Sequence, residues 1–125
     1  MTARARWYSG SALSYCRSAS YTTARLFSDV AEYWDELIIR AYIQEDGKEV
    51  LYQDGPLSTL KNPLELIEGY FQSTTMPEGF GMTCGTVGAI GGIRPATQFT
   101  MELYDPRRER SIRHTYVTEI LPEVA

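Results

Sequence analysis

LIIRAYIQEDGKEVLYQDG, residues 37–55, decides the architecture. Leu37, Ile39, Ala41 and Ile43 alternate with Ile38, Arg40, Tyr42 and Gln44, the period of a half-buried strand. Asp46-Gly47 supplies the two positive backbone φ angles of a tight hairpin turn, and Val50 to Gln53 returns as the partner strand. A second Asp-Gly, at 54 and 55 before Pro56, is expected to close the hairpin.

Working outward from the hairpin, Asp29 with Glu32 three residues on reads as a capping-box start. Val30, Tyr33, Trp34 and Leu37 follow at helical spacing. Downstream, Asn62 is placed to cap a second helix, Pro63 takes its first position and Glu65 completes the box. Leu64, Ile67, Tyr70 and Phe71 form its apolar face. Pro77-Glu78-Gly79 turns into an expected strand from Phe80 to Cys84. Phe99, Met101 and Leu103 alternate in the next strand, and Ile112, His114 and Tyr116 line one face of the last. Helix, hairpin, helix and three strands make an α+β chain with a mostly β second half.

Bulk properties narrow the function classes. At 125 residues and 43% hydrophobic, the chain is one ordinary globular domain. A net charge of −4 argues against a nucleic-acid binder. No apolar run approaches the roughly 20 residues of a membrane helix. Cys16 and Cys84 have neither disulfide-framework nor metal spacing, so free thiols in the cytoplasm are expected. Four of the twelve basic residues, Arg4, Arg6, Arg17 and Arg25, precede Ser28, and none of the sixteen acidic residues does. Residues 1–27 therefore read as a basic Ser/Arg-rich arm and 28–125 as the folded unit. The arm's composition also fits a transit peptide.

The stretch CGTVGAIGGIRP, residues 84–95, invites a phosphate-loop reading and fails it. A P-loop needs a Lys followed by Ser or Thr, and neither Lys48 nor Lys61 is near. No helix follows to offer its N-terminus to a pyrophosphate. His114 is the single histidine, so a nucleophile such as Cys84 has one possible base. Between Ile112 and Tyr116, that histidine reads more simply as a packed strand residue. Glu32, Asp35 and Glu36 read as a solvated helix face.

Several short motifs in order resemble the fumarylacetoacetate hydrolase (FAH) superfamily. They are Trp34-Asp35-Glu36-Leu37-Ile38-Ile39-Arg40, then Tyr52-Gln53-Asp54-Gly55, then Met76 to Gly91 with its Cys-Gly-Thr corner. The wording Gly-Ala-Ile-Gly-Gly-Ile-Arg-Pro at 88–95, with Met101 to Pro106 and Arg113-His114-Thr115-Tyr116, is similar to a bacterial FAH-like branch known as a domain of unknown function.

The resemblance implies a partial mixed β-roll with two short helices, the C-terminal half of a hydrolase or lyase for small 2-oxo or diketo acids. It places Gly85 and Thr86 at the substrate's oxygens, with Arg94 beside them as a further substrate-binding residue. It assigns no catalytic residue and no metal ligand in this chain, because the family's Glu-x-Glu for Mg²⁺ or Mn²⁺ does not occur. A fragment inactive alone is then expected, completed by a second chain or a homo-oligomer. The alternative is a non-catalytic interaction or dimerisation module, since a half-roll leaves sheet edges uncovered.

Overall fold

A computed structural model describes residues 27–119. Two 3₁₀ turns (Phe27–Asp29 and Ala31–Glu36) lead into strands β1 (Ile38–Glu45) and β2 (Lys48–Pro56). A third 3₁₀ turn (Leu57–Thr59) and helix α1 (Pro63–Phe71) follow, and strands β3 (Gln98–Asp105) and β4 (Arg110–Val117) complete the order. The strands form one antiparallel sheet in the order β2-β1-β3-β4. The described residues make a small α+β fold built on a four-stranded antiparallel sheet. Among the described residues no helix is long and apolar enough to cross a membrane.

The β1–β2 hairpin forms as its alternation predicts. Asp46 and Gly47 take φ of 50° and 74°, the left-handed pair that matches the strand twist. The strand does not stop at the second Asp-Gly, however. Asp54, Gly55 and Pro56 stay in register opposite Arg40, Ile39 and Ile38. Because β2 is an edge strand, the missing N–H of Pro56 does not interrupt an interior ladder.

The expected helix from Asp29 is instead two 3₁₀ turns with a kink at Tyr33, and no side chain caps the second turn. Its bonds close over three residues: Val30 N–H to Phe27, Tyr33 N–H to Val30 and Leu37 N–H to Trp34 carbonyls. The kinked segment buries Tyr33 and Trp34 and lets the Tyr33 hydroxyl donate to Asp105 at 2.9 Å. The start of α1 is as expected: Asn62 Oδ1 accepts from Leu64 N–H at 2.9 Å, with Pro63 in the first turn. Of its expected apolar face, Ile67 is buried while Leu64 and Tyr70 are exposed.

Residues 72–97 contain no helix or strand, so the strand expected at Phe80 to Cys84 does not form. Gly79 and Gly85 bracket it at φ of 85° and 94°, a backbone region that interrupts a strand.

The core lies on one face of the sheet. Near the 3₁₀ turns, Val30, Tyr33, Trp34, Leu37, Ile39, Leu57 and Val87 cluster. Further along the strands, Ala41, Ile43, Tyr52 and Phe99 form a second cluster. Val87 belongs to the irregular segment, which therefore acts as part of the second layer.

Candidate functional site

A β-bulge sets the geometry of the glycine segment. Ala41 pairs with Gln53 but Tyr42 pairs with Leu51, so Tyr52 is the extra residue of β2. Both Tyr52 and Gln53 are buried as a result. Gln53 sends its amide nitrogen to Thr86 Oγ1 at 3.1 Å and to the Val87 carbonyl at 2.5 Å. The Tyr52 carbonyl accepts from Ile90 N–H at 2.7 Å. Residues 84–97 thus form a strap pinned to the bulge.

Two further residues seat the strap. A Cβ at Gly55 would stand 3.0 Å from a Val87 methyl, so glycine leaves the space that Val87 fills. Arg94 donates from Nε to Glu45 and from Nη1 to the carbonyls of Ile90 (2.8 Å) and Gly92 (3.0 Å). Its guanidinium lies 5.2 Å from the centre of the Tyr52 ring. The hydrogen bond from Arg94 holds the Glu45 carboxyl below the usual carboxylate range. Of the residues expected at substrate, Gly85 and Thr86 are exposed on the strap, while Arg94 is engaged in folding it. Burial pushes the Cys84 thiol up, the opposite of what activates a nucleophile.

The other face of the sheet carries a polar network. Arg40 and Tyr42 on β1, Glu102 on β3, and Ser111 and Arg113 on β4 alternate with the core residues. Glu102 is buried and accepts from Ser111 Oγ at 2.6 Å and Tyr42 Oη at 3.3 Å. Arg40 stands 3.9 Å from the same carboxylate. Burial, then the Glu102 charge, raises the Tyr42 phenol, so Tyr42 stays a proton donor. Arg113 pairs with Glu49 at 2.9 Å and lies over the Tyr42 ring. Arg40 meets Asp54 and Glu102, and Arg113 meets Glu49, so three carboxylates face two arginines and the face is no anion site. Reading the sequence separated Arg40 and Tyr42 from the core positions but missed Glu102. The available signal was the acid between Met101 and Leu103 in an otherwise apolar alternation.

A family described as a protein of unknown function, DUF2848, matches residues 14–116. The chain belongs to the DUF2848 family. No curated protein and no solved structure matches it. The family assignment overturns the resemblance to the FAH superfamily. Short Gly-Thr and Gly-Ala-Ile-Gly strings recur wherever backbone must turn in little space, and here they serve the strap. Among the described residues of this DUF2848 chain, no group of three or more His, Cys, Asp or Glu is placed to hold a metal ion.

The two edges of the DUF2848 sheet are unlike. On β2 the bulge, Pro56 and the Ile90-to-Tyr52 hydrogen bond interrupt the outer row of backbone groups. Strand β4 pairs with β3 in one unbroken register from Gln98↔Val117 to Asp105↔Arg110. Thr118 N–H bonds the Thr97 carbonyl, which continues that register. The even-numbered residues of β4 consequently spend their backbone groups on β3, and Ser111, Arg113, Thr115 and Val117 point theirs outward.

Proposed function

We propose that this chain works by association with another protein chain, first of all a second copy of itself. On this reading it is a small cytoplasmic interaction module rather than a catalyst on its own. The observation that carries the reading is the continuous outer edge of β4, which no described strand or strap residue covers. Exposed Leu64, Tyr70, Phe80, Ile90 and Ile93 on α1 and the irregular segment add apolar surface beyond the sheet. The same reading gains support from Thr86 and Arg94, whose polar atoms already serve the fold.

Sedimentation equilibrium over a broad concentration series tests it, with a monomer–dimer isotherm as the expected result. A strictly monomeric particle at the highest concentration contradicts the proposal. A thermal-shift scan with oxalate, with and without Mn²⁺, is expected to leave the melting temperature unchanged. A shift that requires both components would move the function to small-acid chemistry instead.

A further inference from the structure

The geometry points to a specific two-fold interface: we infer that two copies pair antiparallel through β4, centred on His114, to give one continuous eight-stranded sheet. This deepens the association proposed above and rests on it. An isologous contact requires the same strand on both sides, so only registers symmetric about one residue are admissible. The outward backbone groups of Ser111, Arg113, Thr115 and Val117 must bond their counterparts, so odd-numbered residues must face odd-numbered residues. Near the middle of the strand this leaves centres at Arg113, His114 and Thr115.

Side-chain chemistry chooses among them. A centre at Arg113 sets two arginines directly opposite, a destabilising like-charge pair. A centre at Thr115 sets Arg113 against Val117 and Ile112 against Thr118. A centre at His114 sets the two His114 rings against each other, without the fixed like charges of an arginine pair, and Ile112 against Tyr116 twice, extending the apolar face already lined by Phe99 and Tyr116. It also sets Arg113 against Thr115 twice on the polar face. Ser111 against Val117 at the ends is then the one kind of polar–apolar pairing, where a centre at Thr115 makes two, so this register continues both faces best. The second edge of each copy, β2, keeps its bulge and strap, so the assembly closes at two copies rather than growing.

The test is cross-strand disulfide formation in the full chain with Cys16→Ser and Cys84→Ser. In the inferred register the two His114 positions form a non-hydrogen-bonded pair with Cα atoms about 4.5 Å apart, within disulfide reach. The two Thr115 positions are about 8 Å apart, beyond it. His114→Cys is expected to give a covalent dimer under mild oxidation, and Thr115→Cys to stay monomeric on a non-reducing gel. A dimer by sedimentation in which His114→Cys fails to link, or Thr115→Cys links equally, overturns the interface while leaving association intact. A monomer by sedimentation overturns association itself. Thr115→Pro supplies an independent check, because it removes an outward N–H that β3 does not use. It is expected to weaken dimerisation at least tenfold with an unchanged circular dichroism spectrum. Unaltered dimerisation of a folded Thr115→Pro chain contradicts the interface, and if that variant unfolds the cysteine pair still decides.

Discussion

The two edges of this sheet receive opposite treatment from the same kind of sequence. Both β2 and β4 are outer strands of eight or nine residues. Yet β2 carries a bulge, a Gly-Pro end and a strap that takes a backbone acceptor, while β4 runs straight with exposed residues at every second position. An edge is closed by irregularity and left open by regularity. In this chain the irregular edge organises the core's second layer, and among the described residues no strand pairs with the regular edge.

Removing the pin of the closed edge should have the largest effect. Gln53→Leu strips the buried amide that holds Thr86 and the Val87 carbonyl. It should destabilise the chain by about 2–3 kcal/mol, since it leaves a buried acceptor unpaired. The urea midpoint should fall accordingly, and thermolysin should cut before Ile90 in the strap more readily than in the parent chain. A loss below about 0.5 kcal/mol would mean that the strap is held by something other than the bulge.

On the open side, the turn before β4 depends on Asp105. Its carboxylate accepts from the Tyr33 hydroxyl, from the N–H groups of Arg107 and Arg108, and from Arg110 Nε. Burial pushes this carboxyl up, but the hydrogen bonds from Tyr33, Arg108 and Arg110 outweigh it and leave the pKa lowered. A lowered folded pKa gives stability that is present above the ordinary value of 3.8 and is lost as pH falls through the folded value. Asp105→Asn should cost about 2 kcal/mol at neutral pH, as a charged hydrogen-bonding group is lost. It should also make the acid limb of a stability–pH curve shallower below pH 3.8. An unchanged acid limb would remove Asp105 from the account of the turn.

A smaller effect sharpens how the closed edge is packed. Gly55→Ala places a methyl against Val87 and should cost about 1 kcal/mol by overpacking. In a chain that already carries Val87→Ala the same change should cost less, so a double-mutant cycle isolates the contact. Additive losses would mean that the two residues do not touch. Smallest of all is Thr86→Val, about 0.5–1 kcal/mol, because Gln53 keeps the Val87 carbonyl as its acceptor.

What could be read from the sequence follows the range of the interactions. Alternation in β1, β3 and β4, the Asp46-Gly47 turn and the Asn62-Pro63 start of α1 are local, and each is legible in a few adjacent residues. The segment after Asp29 misled because Asp29 and Glu32 have capping-box spacing, whereas the Tyr33–Asp105 contact spans the chain. Gln53 was invisible as a pin, since its direction depends on a register shift that only pairing with β1 creates. Glu102 likewise gains its meaning from Tyr42 and Ser111 on two other strands. The superfamily resemblance rests on several short motifs in order, and the hairpin, strap and strand residues that compose them answer to local folding needs as readily as to ancestry.

The contrast between the edges is tested most directly by amide hydrogen exchange at single-residue resolution, at low and at high protein concentration. The outward amides of Arg113 and Thr115 should exchange rapidly in dilute protein and become protected as concentration rises. The outward amides of β2 should show no such dependence. Protection that is independent of concentration at β4, or that appears at β2 instead, would contradict the assignment of β4 as the open, pairing edge.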